Sequence, residues 1–284
     1  MSSIKEVKYN TPSQPRQLRI DSVSKCNASC LSCHRLLSKR KGEMPFELIL
    51  QILDDVSKWK KPLTEIVPVN YGEIFLRSDW YEILCLIAQT LPFTQIVLPT
   101  NGSFLNTESV TKICHIPTVR IINLSVNAYF DETYEAFTGL KAETIPNIRK
   151  AVAQFRILRP DITLWASLIF DPAYITDLEK DEFIRYWMGW AIPQILPAAS
   201  AGRPDKVPII KTLIPCRSIF SDIVIGYDGK ISSCCWDASF NLELGHYQGN
   251  LLDNWHGKEL TELRRFHNAG QRQQIPLCSR CTFS

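Results

Sequence analysis

Three cysteines packed into eight residues, Cys26-Asn-Ala-Ser-Cys30-Leu-Ser-Cys33, constrain this chain more than any other feature. Ten cysteines in 284 residues are too sparse for a disulfide scaffold. The opening MSSIKEVKYNTPSQPRQ has no apolar core of a secretory signal, so the thiols are expected to stay reduced and to serve metal binding or catalysis. The group directly follows a period-two run, Leu18-Arg-Ile-Asp-Ser-Val, and so falls in a loop at a strand end. Three thiolates so close together can wrap one iron–sulfur cubane and leave one iron open to a ligand. A structural zinc wants four protein ligands, and His34, adjacent to Cys33, is an awkward fourth.

Five more cysteines gather near the other end: Cys216, Cys234, Cys235, Cys278 and Cys281. Four suffice for a second site, which leaves one over. A zinc ribbon is the rival occupant there. Cys85, inside Trp80-Tyr-Glu-Ile-Leu-Cys-Leu-Ile, and Cys114 read as small buried hydrophobes.

Residues 1–16 are polar and proline-containing, an irregular lead-in. Strand patterns follow at residues 18–23, 66–70, 95–100, 119–126, 162–170 and 192–198. Helical spacing separates them at 44–56, 79–89, 108–114, 145–158 and 181–188. This alternation predicts an α/β fold with a parallel sheet. Six strands are too few for a closed eight-stranded barrel, so a partial (β/α)6 TIM-like barrel over 17–203 is expected, with its chemistry at the C-terminal strand ends. After the Gly202–Pro208 stretch the pattern changes. Residues 223–233 read as a β-hairpin turning at Asp228-Gly229, and 255–268 as a helix. Residues 204–284 are therefore expected to form a smaller module, stapled by metal because its core is too small.

The composition excludes some functions. Net charge is +3 with no long basic block, which speaks against nucleic acid. Lys39-Arg40-Lys41 reads as a solvated loop. No run approaches the roughly 18 uncharged apolar residues of a membrane helix, so a cytoplasmic protein is expected.

With these residues in view, Cys26-x3-Cys30-x2-Cys33 after a first strand resembles the signature of the radical S-adenosylmethionine (radical SAM) superfamily. Tyr71-Gly72-Glu73 is similar to its Gly-Gly-Glu motif, which meets the SAM amino group, with Tyr71 in place of the first glycine. Leu124-Ser125-Val126-Asn127, ahead of Thr133-Tyr134-Glu135 and Gly139, resembles the segment that reaches the SAM ribose and carboxylate. Thr100-Asn101-Gly102 also recurs in the family. The position before the last cysteine, commonly bulky and near the adenine, is Ser32 here. The resemblance thus implies SAM contacts at Tyr71, Gly72, Glu73, Asn101, Ser125 and Asn127, and a [4Fe–4S] cluster on Cys26, Cys30 and Cys33.

The C-terminal cysteines, with Gly245-His, Gly249-Asn250 and Trp255, resemble the SPASM/twitch extension of such enzymes. A full SPASM domain holds two auxiliary clusters on about twice as many cysteines, so the resemblance implies one auxiliary [4Fe–4S] cluster here. Its ligands would be Cys216, Cys234, Cys278 and Cys281, with Cys234 taken over Cys235 on the family's Gly-x4-Cys spacing. Cys235 is left as a buried residue, a hydrogen-atom donor or the true ligand.

The reaction implied is reductive cleavage of SAM to a 5′-deoxyadenosyl radical that takes a substrate hydrogen, fed by an external one-electron reductant such as flavodoxin or ferredoxin. Two substrates fit. One is a ribosomally made precursor peptide, modified by excision, epimerisation or crosslinking. About 17 residues precede the first strand, which implies a separate leader-peptide-binding protein. The other is a sugar or aminocyclitol alcohol, dehydrogenated. An iron–sulfur electron-transfer protein is a third reading, in which the SAM-contact motifs would be purposeless.

Overall fold

The computed structural model describes residues 8–198 and 214–282. The expected boundary at 203–204, with Gly202–Pro208, lies outside them. Strands β1 (Gln17–Ile20), β2 (Glu65–Val67), β3 (Gln95–Thr100), β4 (Val119–Ser125), β5 (Thr163–Phe170) and β6 (Ile192–Pro197) run parallel in that order. Helices α1 (Phe46–Ser57), α2 (Trp80–Thr90), α3 (Thr107–Cys114), α4 (Asp131–Thr138), α5 (Thr144–Leu158) and α6 (Asp177–Trp187) fill the crossovers. The strands are short and rich in β-branched residues because both faces are covered; Ile66, Ile96, Leu98, Ile122, Leu124 and Leu168 are fully buried. The expected partial (β/α)6 barrel is the one observed.

Several boundaries move for local reasons. Helix α6 starts four residues before the periodic signal, since the Thr176 side chain accepts the Glu179 N–H and caps it. Helix α4 was not anticipated as a helix, although Tyr134, Phe137 and Thr138 share one buried face; it closes on Gly139 at φ 71. Cys85 and Cys114 are partly, not fully, buried.

The C-terminal unit departs most from expectation. After a short helix α7 (Ser218–Ser221), β7 (Asp222–Ile225) and β8 (Ile231–Ser232) form the predicted hairpin. Its turn includes Gly229 at φ 84, a conformation glycine adopts without strain. Strand β7, however, pairs in parallel with β1, so the sheet order is β6-β5-β4-β3-β2-β1-β7-β8. Leu18, Ile20, Ile223 and Ile225 are all buried across this joint, each contributing about 1.5–3 kcal/mol of apolar burial. The hairpin thus shares the barrel's core. The expected single helix is two, α8 (Leu251–Trp255) and α9 (Lys258–Asn268), broken at Gly257. The lead-in straps onto them: Trp255 Nε1 donates to the Pro12 carbonyl at 2.9 Å, and Asn268 exchanges two bonds with the Tyr9 backbone. Arg40 is not solvated. It pairs with Asp228 and lies over the Tyr227 and Phe240 rings, tying the cysteine loop's far end to the hairpin turn.

Candidate active site and auxiliary cavity

At the C-terminal ends of the parallel strands lies a cleft of about 780 Å³, measured out to its open mouth. All nine residues assigned to the first site from sequence line it: Cys26, Cys30, Cys33, Tyr71, Gly72, Glu73, Asn101, Ser125 and Asn127. They come from four different strand-end loops, which only the parallel barrel brings to one place.

The loops are locked together. Glu73, 1% exposed, donates its backbone N–H to the Lys25 carbonyl at 2.8 Å. Its carboxylate accepts the Asn101 N–H at 2.8 Å and the Thr100 hydroxyl at 3.0 Å. Burial still pushes its pKa up to about 7, against those hydrogen bonds. A carboxylate so placed gains from a cationic partner, as an α-ammonium group is. Gly72 has no room for a side chain, because a Cβ there would stand 1.9 Å from the Val23 carbonyl oxygen. Asn101 Nδ2 reaches Asn27 Oδ1 at 2.9 Å and Cys26 Sγ at 3.7 Å, bracing the cysteine loop. Asn127 sits at φ 65, a conformation asparagine tolerates, and its Oδ1 accepts the Ile169 N–H at 3.1 Å. Part of its side-chain capacity is therefore spent on β5.

The second cavity, about 390 Å³ when counted out to open solvent, is lined by Cys216, Cys234, Cys278 and Cys281 together with Arg272, Trp236, Ile219, Leu242 and Leu277. Cys235 is absent from both linings. It stands in a turn after β8, closed by the Asp237 N–H on the Cys234 carbonyl, so strand alternation is not what separates the two adjacent thiols. Its surroundings include Arg19 and Asp222 instead.

Both thiol sets are electrostatically uncomfortable. Burial first, then Cys33 and Cys26, push Cys30 up to about 12. Burial and Cys216 do the same to Cys278, and burial and Cys235 hold Cys234 well above the usual thiol range. Bound metal cations are what reverse this, by stabilising thiolates. Among the described residues no three Cys, His, Asp or Glu side chains converge on a point fit for one ion. His34 is buried and packs against Trp236, the ring centroids 5.2 Å apart and the planes tilted by 58°.

Sequence reasoning missed Trp236, which lines both cavities and is their shared wall. It also missed Ile169. Tyr71, the departure from Gly-Gly-Glu, donates its hydroxyl to the Cys235 carbonyl, which Asn70 Nδ2 approaches at 3.5 Å. Two loops distant in sequence are thereby joined, and no local motif announces such a pairing.

Comparison with known proteins agrees with this geometry. The Radical SAM superfamily profile matches residues 20–164, just over half the chain, and SPASM, an iron-sulfur cluster-binding domain, matches 216–282. The chain belongs to the radical SAM superfamily and is an enzyme whose cofactors are SAM and [4Fe–4S] clusters. It is 20% identical over 268 residues to the S-adenosyl-L-methionine-dependent 2-deoxy-scyllo-inosamine dehydrogenase of Niallia circulans, spanning 93% of this chain and 91% of that one. It is 27% identical over 141 residues to a protein named as a probable GTP 3′,8-cyclase in Methanosarcina mazei. That match spans 48% of this chain and only 40% of the cyclase's length. The crystal structure of Streptococcus suis SuiB bound to precursor peptide SuiA superposes with a TM-score of 0.72 at 12% identity, over 95% of this chain and 75% of that one. Among the described residues no helix is long and apolar enough to cross a membrane.

Proposed function

We propose that this enzyme modifies a precursor peptide, with Cys26, Cys30 and Cys33 holding the SAM-binding cluster and Cys216, Cys234, Cys278 and Cys281 holding a single auxiliary [4Fe–4S] cluster. When bound, the first cluster with SAM supplies the 5′-deoxyadenosyl radical that takes a substrate hydrogen. The chain's own part is placement. Glu73 accepts from the SAM amino group, and Ser125 and Asn127 flank the ribose and carboxylate. The Trp236, Ile169 and Pro99 side of the cleft keeps water from the reacting carbon.

The observation that carries the peptide reading is a set of exposed apolar side chains on the loops that follow the barrel strands. Leu31, Leu36, Leu37, Phe130 and Tyr174 are each between 38 and 50% exposed on the loops after β1, β4 and β5. Leu31 and Tyr174 also edge a groove running over α4. Exposed apolar side chains on these loops, with a groove beside them, suit an extended chain better than a small polyol. A separate leader-binding protein and a flavodoxin or ferredoxin as reductant complete the system. The second reading, oxidation of a sugar or aminocyclitol alcohol, is favoured by the end-to-end likeness to the Niallia dehydrogenase.

One experiment separates the two. Reconstituted enzyme with SAM and reductant is offered any small peptides encoded beside its gene, or a panel of aminocyclitols, and 5′-deoxyadenosine and product masses are followed. The peptide reading expects a mass change in the peptide in step with 5′-deoxyadenosine. Turnover of an aminocyclitol with an unchanged peptide rejects it.

A further inference from the structure

A large cation is sealed into the wall of the auxiliary cavity. Arg272 is 1% exposed and lines the cavity beside Cys216, Cys234, Cys278 and Cys281. It opens a short 3-10 turn, Arg272–Gln274, just beyond α9. Its Nη2 donates to the Cys281 carbonyl at 3.1 Å and its Nη1 reaches the Ile214 carbonyl at 3.5 Å. The guanidinium is thus held by backbone acceptors from both edges of the C-terminal unit. It cannot shed its proton to escape burial.

Two neighbouring titratable side chains, His267 and Asp237, do not duplicate this charge. His267, 1% exposed, accepts the Cys216 N–H on Nδ1 at 3.0 Å, so its remaining proton belongs on Nε2 and the ring is neutral. Burial and the nearby Arg272 hold its pKa down to about 4, consistent with that state. The carboxylate whose field also reaches Cys278 is Asp237. It is occupied by the Asn241 and Leu242 N–H groups at 2.8 and 2.7 Å and by the Ser232 hydroxyl at 3.2 Å.

We propose that Arg272 is a fixed positive charge that raises the reduction potential of the auxiliary cluster and so makes it an electron acceptor; this rests on the reading that Cys216, Cys234, Cys278 and Cys281 hold that cluster. Reduction adds one negative charge to a thiolate-bound cluster. A cation sealed in a medium of low dielectric stabilises that added charge with little screening. Arg272 acts through the cluster's surroundings, as a positioning and tuning residue, and touches no substrate.

The test is a potentiometric titration of the reconstituted protein followed by electron paramagnetic resonance, which reads both clusters without turnover. Arg272→Gln is expected to move the auxiliary midpoint to a more negative potential and leave the SAM-binding cluster's midpoint in place. Arg272→Lys, which keeps the charge, is expected to stay close to wild type. An unmoved midpoint in Arg272→Gln overturns the proposal, as does an equal shift in Arg272→Lys. Loss of the auxiliary irons from either variant also overturns it, by making Arg272 a structural brace. Failure of the underlying reading looks different: wild type itself would then hold about four irons, not eight, and the proposal would fall before any variant is made.

Discussion

The two cavities are built in opposite ways. The first takes its thiols from one eight-residue loop and opens to solvent, while its remaining walls come from four strand ends. The second is smaller and less open, and takes its thiols from residues 216 to 281. A local loop can present three ligands before the fold is complete. The second site exists only once β7 has joined β1 and the chain has wrapped back over α9. The first cavity is therefore fixed by motif and the second by tertiary structure, and the two should respond differently to damage.

The largest expected difference follows from removing thiols. Replacing Cys26, Cys30 and Cys33 with Ala should cost about four irons and reduce 5′-deoxyadenosine to background. Replacing Cys216 and Cys278 should also cost about four irons yet leave SAM cleavage measurable, now uncoupled from product. Iron assay and chromatography of the nucleoside check both. Equal loss of SAM cleavage in the two sets would erase the distinction.

Next in size is Gly72→Ala. The added Cβ meets backbone carbonyls of Val23 and Lys25 at 1.9 and 2.7 Å, which cannot rotate away. A loss of about 2–4 kcal/mol in chemical denaturation is expected, with weaker SAM binding as the Tyr71–Glu73 loop shifts. Gly139→Ala should cost less, about 1–2 kcal/mol and mainly from its φ of 71, because the Ser29 hydroxyl in its way at 2.2 Å is a side chain that can turn.

Glu73 gives a pH-dependent effect confined to the first cavity. Its folded pKa of about 7 stands above the ordinary 4.5, so between those values the folded chain binds more protons than the unfolded one. Stability from this group is therefore full below pH 4.5 and falls as pH rises towards 7. Glu73→Gln lacks that loss, so in SAM-free protein it should gain on wild type by roughly 3 kcal/mol across the window, while its SAM affinity drops. Urea melts at the two ends of the range read the first effect and equilibrium binding reads the second. A constant gap between variant and wild type would show that Glu73 ionises normally.

The smallest effect belongs to Cys235→Ala. Lining neither cavity, Cys235 should be replaceable with irons and turnover intact and a stability change of at most about 1 kcal/mol. Loss of about four irons would make it a ligand in place of Cys234. Intact irons with stalled product formation would make it a hydrogen-atom donor.

The same contrast explains what the sequence revealed. Cys26, Cys30, Cys33 and Glu73 were legible because each lies in a short motif next to a strand with a clear period. Helix α4 was not: its Thr133, Tyr134 and Glu135 were read as part of a motif and not for helical spacing, although Tyr134, Phe137 and Thr138 share one buried face. The pairing of β7 with β1 was hidden because the hairpin's alternation is the same whether it stands alone or extends a sheet. Trp236 and Arg272 carry no motif. Their places follow from long-range folding that brings the turn after β8 and the end of α9 onto the same thiols. Counting and spacing picked out Cys216, Cys278 and Cys281, and the Gly-x4-Cys spacing picked Cys234 over Cys235; these four line the second cavity and Cys235 does not.

The central claim is two clusters in two separate cavities, of which only one meets SAM. Anaerobically reconstituted wild-type protein, assayed for iron and examined by electron paramagnetic resonance after reduction, tests it directly. The expected result is about eight irons per chain and two reduced-cluster signals, one of which changes when SAM is added while the other does not. About four irons, zinc in place of iron at either cavity, or a SAM-induced change in both signals would contradict it.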